Sequence, residues 1–177
     1  MKFIQKYLVV WFFVCWIGYI ALRFIFSDAP WKDPDLFNAI ILGFIMTILL
    51  SGAISGGLYF SIIPKMKYIE SRDLKVPLFD GRLERIIKPE TDDFSFAELQ
   101  RKINQNWILT YVDNELNILK FRTKDSIFQW GVGSYLAYDD SDNTISVVSF
   151  PFTGNTRKSK RLKTELNNRI EELILSV

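Results

Sequence analysis

Seven residues near the carboxyl end of the chain contain five cations that could form a binding site: Arg157, Lys158, Lys160, Arg161 and Lys163. They fall at the start of a predicted helix, where the helix dipole is already positive. Cations and free backbone N–H groups that converge in this way favour an anion, such as a lipid headgroup or an acidic partner. The alternative is a solvated face, since charge runs are usually exposed.

The composition excludes the commonest forms of catalysis. The chain contains no histidine, which removes the most frequent general base and the most frequent metal ligand. The single cysteine, Cys15, lies inside an apolar segment, so metal sites built from His and Cys and a disulfide within the chain are both excluded. We therefore expect a protein that is not an enzyme, with no catalytic residue, no metal and no cofactor.

One acidic stretch, "DDSDN", resembles the start of a calcium loop. Asp140, Asp142 and Thr144 alternate as calcium ligands do, but Ile145 stands where the loop requires glycine. Pro151 stands where the bidentate glutamate should be. We predict a hairpin turn, for which Asp and Asn are favoured residues.

Aromatic side chains near Lys120 and Arg122 invite a comparison with single-stranded nucleic-acid platforms. The aromatic residues in question are Phe128, Trp130, Tyr135 and Tyr138. Their period-two spacing indicates the core of a sheet instead, and a net charge of +2 gives nucleic-acid binding little support. Nucleic acid is not among the partners that we expect.

Two long apolar segments predict a membrane hairpin of two transmembrane helices in residues 1–63. Tyr7–Phe26 carries only one charge, and Phe37–Ile63 carries none. About 20 apolar residues cross a hydrocarbon core of roughly 30 Å. The bulky aromatics of the first segment, and the proline after the small residues "SDA", argue against a cleaved signal peptide. The lipid bilayer is therefore an expected partner.

The distribution of Lys and Arg around the two segments predicts their orientation. Lys2 and Lys6 precede the first segment, and five further cations follow the second within about 20 residues, the window that matters for topology. The connecting loop contains only Lys32. We expect both termini on the cytoplasmic side of an inner membrane.

Small residues in the second segment predict a helix-packing surface. Gly52 and Gly56 stand four residues apart, a spacing that lets another helix backbone approach closely. They could seat the first segment of the same chain, for example at Gly18, or a helix of another molecule. The sequence leaves both possibilities open.

The remaining chain reads as a charged linker, residues 64–93, followed by a small α+β domain, residues 94–177. Pro64 is expected to end the second helix, and Ser95 with Glu98 forms a capping box for the next. From Trp107 the hydrophobic period changes to two, which predicts four β-segments before the last helix. The expected order is α-β4-α with an antiparallel sheet.

The stretch from Lys120 to Ile170 resembles small membrane-associated bacterial α/β domains of uncharacterised families. The shared pattern is a Trp-Gly strand, a strand that ends in Ser-x-Pro, and a basic helix. The resemblance implies a bacterial membrane setting and no particular activity.

These patterns together predict a membrane-anchored protein with a cytosolic interaction domain. Its contact surface would be the five cations, facing anionic headgroups or an acidic partner. The alternative is a structural subunit of a larger membrane protein complex or a homo-oligomer, with Gly52 and Gly56 as the main contact.

Overall fold

The computed structural model describes residues 2–26, 36–91, 94–124, 131–154 and 156–177. The helices are α1 (Lys2–Phe26), α2 (Leu36–Glu70), α3 (Phe96–Asn106) and α4 (Arg157–Leu175). The strands are β1 (Leu83–Ile87), β2 (Ile108–Asp113), β3 (Ile118–Arg122), β4 (Val132–Asp139) and β5 (Thr144–Pro151). Residues 27–35 of the predicted connecting loop, together with Phe128, Trp130 and Asn155, lie outside the described residues.

The chain divides into two compact units, Met1–Tyr59 and Phe60–Val177, which we call unit 1 and unit 2. Across the described ranges, no single helix combines the length and apolar character needed to cross a membrane. The bent pair formed by Ile40–Ile54 and Tyr59–Glu70 meets that requirement by length and composition.

Unit 1 packs α1 against the first part of α2 through aromatic contacts. The ring of Phe44 meets Phe12 and Trp16 edge to face, at centroid distances of 5.5 and 5.7 Å. Gly43 gives the closest approach, because a Cβ atom added there would come within 2.2 Å of the Tyr19 ring. Aromatic edge-to-face pairs of this kind stabilise a contact beyond the area that they bury.

The predicted small-residue pair does not make this contact. A Cβ atom at Gly52 or Gly56 would meet no atom of the described chain within 4 Å, and the same holds at Gly18. Gly52 and Gly56 therefore show no close contact with the described part of the chain, and their role in helix packing stays a prediction. Tyr19 fills the helix contact at Gly43 instead, where a large ring needs a residue without a side chain.

Unit 2 is built on a five-stranded antiparallel sheet in the order β1-β5-β4-β3-β2. The prediction of a small α+β domain with an antiparallel sheet is confirmed, but the sheet has one strand more than the predicted four. The added strand, β1, pairs with β5 from Leu83↔Ser149 to Ile87↔Ile145. It lies within residues 64–93, for which an extended linker is the expectation.

One face of the sheet carries α3 and α4 over the hydrophobic core. Ser95 caps α3, accepting a hydrogen bond from the Glu98 N–H, as the capping box predicts. The buried core side chains come from both helices and from the strands: Leu99, Ile103, Leu119, Phe121, Leu136, Val147, Leu166 and Ile170. Side chains on one face of the strands, at every second position, therefore pack against the apolar faces of the two helices in one core.

The other face of the sheet carries the last turns of α2, which continue past Pro64 to Glu70. Proline removes one backbone hydrogen bond from a helix. Ile62 and Ile69 are nevertheless buried on either side of it, and this packing outweighs the local cost. Gly133 in β4 allows the contact, because a Cβ atom there would lie 2.9 Å from Ile69 Cγ1.

Candidate functional site

Four of the five predicted cations lie exposed on the first two turns of α4. They are Arg157, Lys158, Lys160 and Arg161, which we call the exposed cations. The helix is capped by Thr156, whose hydroxyl oxygen accepts a hydrogen bond from the Ser159 N–H. No acidic residue lies in the first turn. This part of α4 therefore presents positive charge next to a positive dipole end.

Arg161 forms an exposed ion pair inside the helix. Its Nε donates to Glu165 Oε1 at 2.8 Å, and this hydrogen bond raises the pKa of the guanidinium. The pair neutralises one of the four charges in part. Exposed pairs of this kind contribute little to stability because water screens them.

Lys163, the fifth predicted cation, is buried rather than exposed. Its side chain crosses to the loop before β1, where the ammonium donates to the Gly81 carbonyl oxygen. Burial lowers the pKa of the Lys163 ammonium, Lys160 lowers it further, and Asp80 acts in the opposite direction. Lys163 therefore belongs to the packing of unit 2, and we leave it out of the candidate surface.

A second buried lysine locates the exposed cations relative to α2. Lys65 Nζ donates to the carbonyl oxygen of Pro151, the last residue of β5, at 2.7 Å. Further along α2, Ile69 lies against Gly133, which is closer to the middle of the sheet. The chain of unit 2 therefore enters at the end of the sheet where β5 finishes. Because α4 begins six residues after Pro151, the exposed cations lie at the same end, which we call the basic end.

A third buried lysine, Lys120, caps the carboxyl end of α2. Its Nζ donates to the carbonyl oxygens of Tyr68, Ser71 and Asp73 at 3.0, 2.9 and 2.6 Å. It also lies 4.0 Å from the centroid of the Tyr68 ring. A cation at this position satisfies carbonyls that the helix leaves without donors and complements the negative end of its dipole. Lys120 is therefore not available to a nucleic-acid phosphate.

The opposite end of the sheet is acidic. The turns at residues 114–117 and 140–143 meet there, around an open cavity of about 540 Å³ whose lining includes Glu115, Asp139 and Asp140. "DDSDN" forms the turn that was predicted, with Asn143 at a φ of 48°. In the described residues, no group of three or more His, Cys, Asp or Glu side chains could bind a metal ion. We call this the acidic end.

The acidic side chains mostly support these turns. Asp113 Oδ1 accepts hydrogen bonds from the backbone N–H groups of Glu115 and Leu116, both at 3.1 Å. Asp139 Oδ1 accepts from the N–H and the hydroxyl of Ser141, and these bonds lower the pKa of the Asp139 carboxyl. The carboxylates therefore have local structural roles.

The chain matches no protein-family model, and no curated protein or solved structure is significantly similar to it.

Sequence reasoning found the exposed cations and missed the buried ones. Lys65 and Lys120 resemble ordinary surface residues in the sequence, because their partners are backbone carbonyls more than 45 positions away. The only signal in the sequence was that Lys120 lies between Leu119 and Phe121. Side chains alternate along a strand, so Lys120 lies on the face of β3 opposite to these two buried residues.

Proposed function

We propose that the protein is a non-enzymatic membrane protein with two transmembrane helices and both termini in the cytoplasm. The two spans, Tyr7–Phe26 and Phe37–Ile63, anchor unit 2 at the inner membrane of a bacterium. There the exposed cations contact anionic lipid headgroups.

Exposed apolar side chains in α1 and in the first part of α2 support the membrane anchor. Examples are Trp11 and Phe13 in α1, and Phe37 and Leu49 in α2, which are between 40% and 72% exposed. A soluble protein rarely exposes large apolar side chains over so long a stretch. A bilayer would cover this surface without any hydrophobic penalty.

The observation that carries the headgroup contact is that unit 2 begins at its basic end. The second proposed span finishes at Ile63, two residues before Lys65 contacts the end of β5. The end of unit 2 that follows the span in the chain is therefore also the end that bears the exposed cations. The acidic end lies at the opposite end of the same sheet.

The charges are sufficient for such a contact. Each Lys or Arg close to an anionic leaflet contributes about 1 kcal/mol, so the four exposed cations contribute at most about 4 kcal/mol before screening. The contribution of Arg161 is smaller, because Glu165 partly neutralises it. The attraction decays over a Debye length of about 8 Å at physiological salt, so only cations near the surface contribute. Cations at the acidic end would lie too far away to take part.

Fusion reporters test the anchor and its orientation. We expect a reporter fused after Val177 to be active only in a cytoplasm-reporting form, and a reporter inserted at Lys32 to show the opposite behaviour. The full chain should also stay in the membrane pellet after alkaline extraction. An external Val177 or release from the pellet would refute the proposed anchor.

Lipid composition tests the headgroup contact. The full chain is extracted from mixed membranes in polymer discs, and the lipids that remain with it are identified by mass spectrometry. We expect enrichment of phosphatidylglycerol around the wild type, and its loss in the variant Arg157→Gln, Lys158→Gln, Lys160→Gln.

A matched variant with Lys88→Gln, Arg101→Gln and Arg169→Gln removes the same charge from exposed positions elsewhere on unit 2. It should retain the enrichment. Equal lipid composition in all three proteins would exclude the headgroup contact, and an acidic protein partner would become the better candidate for the exposed cations.

A second candidate function is that of a structural subunit in a larger membrane protein complex or a homo-oligomer. It is favoured by the open space at Gly52 and Gly56, where no described atom lies within 4 Å of an added Cβ atom. Small residues with open space above them allow a helix of another molecule to approach closely.

Two glycine variants separate packing within the chain from packing between chains. Gly52→Leu with Gly56→Leu should reduce oligomer size in a bilayer while leaving unit 1 intact. Gly43→Leu should do the reverse, since its side chain would overlap the Tyr19 ring. An unchanged oligomer size in the double variant would rule out a packing role for Gly52 and Gly56.

A further inference from the structure

The loop between α2 and β1 presents an apolar side chain at the basic end. Leu78 is 85% exposed, whereas the next residue, Phe79, is partly buried. The Phe79 ring lies against Phe150 in β5 and Tyr68 in α2, at centroid distances of 4.6 and 5.6 Å. The chain therefore turns outward at Leu78 and inward immediately after it.

Hydrogen bonds fix two successive turns here, one from Pro77 to Phe79 and one from Phe79 to Arg82. The Phe79 N–H donates to the Pro77 carbonyl oxygen at 2.8 Å, and the Arg82 N–H donates to the Phe79 carbonyl oxygen at 3.3 Å. Gly81 has a φ of 72°, which favours glycine at the third position of the turn. The Lys163 ammonium donates to the Gly81 carbonyl oxygen from α4. Leu78 is thus displayed on a preorganised turn and loses little conformational freedom when it is covered.

The same contacts place the turn beside the exposed cations. Lys163 lies in α4 only three residues after Lys160, so the turn and the exposed cations share the basic end of unit 2. An apolar side chain at the same end of unit 2 as a group of exposed cations is complementary to the boundary of an anionic bilayer, where acyl chains lie beneath negative headgroups. A single exposed leucine is common on protein surfaces. Leu78 differs because it lies at the basic end of unit 2, together with the exposed cations.

We propose that Leu78 inserts into the cytoplasmic leaflet of the membrane while the exposed cations contact the headgroups around it. This inference rests on the proposed membrane anchor and adds the residue that enters the acyl region. The surface would therefore bind by apolar insertion together with charge, and the lipid it fits is an anionic phospholipid such as phosphatidylglycerol.

An environment-sensitive fluorophore at position 78 tests the insertion. The full chain carries Cys15→Ser, which removes its single cysteine, and Leu78→Cys is labelled with a nitrobenzoxadiazole probe. The protein is reconstituted in discs of phosphatidylcholine with or without phosphatidylglycerol. We expect blue-shifted emission and quenching by spin-labelled acyl chains, both stronger with phosphatidylglycerol.

The matched control is Leu116→Cys in the same background. Leu116 is also exposed, at 51%, but it lies at the acidic end in the turn at residues 114–117. A probe there should report water in both kinds of disc. Adding Arg157→Gln, Lys158→Gln and Lys160→Gln should reduce the blue shift at position 78.

The outcomes separate this inference from the proposed function. If the labelled chain is released by alkaline extraction, the membrane anchor fails and the insertion of Leu78 fails with it. If the chain stays in the membrane but the probe at position 78 reports water in both discs, only the insertion is wrong. Equal signals from positions 78 and 116 would also overturn it.

Discussion

The two ends of unit 2 use charge in different ways. At the acidic end, carboxylates such as Asp113 and Asp139 accept hydrogen bonds from neighbouring turn residues, so the local structure explains their presence. At the basic end, two lysines are buried and bonded to backbone carbonyls. The described residues contain no hydrogen-bond or ion-pair partner for the side chains of Arg157 and Lys160. The fold therefore accounts for Asp113 and Asp139 at the acidic end and for only some of the cations at the basic end.

The charge run on α4 divides into cations that the fold uses and cations that it does not use. Lys160 and Lys163 are one helical turn apart, yet one is exposed and the other is 8% exposed with its ammonium bonded to Gly81. Charges that the fold does not use, and that oppose the helix dipole, need another explanation. An anionic surface is the explanation that the position of the basic end favours.

The largest expected effect concerns the buried cations of the basic end. Lys65→Met and Lys163→Met should each lower the free energy of unfolding by about 2 kcal/mol, because the backbone carbonyl oxygen that accepts from each lysine is left without a donor. Lys160→Met, one turn away from Lys163, should change it by less than about 0.5 kcal/mol. Denaturant unfolding of the full chain in detergent measures all three. Equal effects at 160 and 163 would remove the distinction between the two kinds of cation.

The pH dependence of the same variants sharpens the distinction. Burial lowers the pKa of Lys163 below its ordinary value of 10.5, so the unfolded state binds more protons in the interval between the two values. Stability contributed by this residue therefore rises as pH increases toward 10.5. We expect the gap between wild type and Lys163→Met to widen over that interval. A constant gap would mean that the ammonium titrates as it does in the unfolded chain.

A smaller effect is expected at the acidic end. Asp139→Ala should destabilise unit 2 because the Ser141 N–H and hydroxyl lose their acceptor. The folded pKa of Asp139 is depressed, so its contribution is present above 3.8 and is lost as pH falls through the folded value. Asp142→Ala, an exposed acid in the same turn, is the control and should have less effect. Thermal unfolding at neutral and acidic pH distinguishes the two variants.

The smallest effect concerns the exposed cations themselves. Replacing Arg157, Lys158 and Lys160 by glutamine should raise the free energy of unfolding by up to about 1 kcal/mol, because repulsion from the helix dipole and between like charges is relieved. Unfolding of the variant beside wild type in low salt measures the change. A clear loss of stability would show that these cations take part in the fold, and the contrast between the two ends would disappear.

Local signals predicted much of the fold. The cap formed by Ser95 and Glu98 defines the start of α3, and period-two stretches mark β2, β3, β4 and β5. Strand β1 was not predicted, because a five-residue edge strand depends on pairing with β5, more than 55 positions away. The prediction that Pro64 ends the second helix was wrong for a similar reason, since the burial of Ile62 and Ile69 cannot be read from the local sequence.

The candidate surface was predicted in part. The positions of Arg157, Lys160 and Arg161 follow from helical periodicity, which places them away from the apolar stripe of α4. The burial of Lys163 depends on Gly81, and the outward position of Leu78 depends on how Phe79 packs. Both are tertiary contacts between segments that are distant in the chain, so no local pattern could reveal them.

The central claim is that the basic end of unit 2 faces an anionic bilayer, and the acylation rate of individual lysines tests it directly. The full chain is placed in discs with and without phosphatidylglycerol, treated with a water-soluble acylating reagent, and analysed by peptide mass spectrometry. Lys160 reports the basic end, and Lys88, exposed just after β1, reports the acidic end. We expect Lys160 to react several-fold more slowly in phosphatidylglycerol discs, with the protection lost at high salt, while Lys88 reacts equally in both. Equal rates for Lys160 in the two kinds of disc would contradict the account.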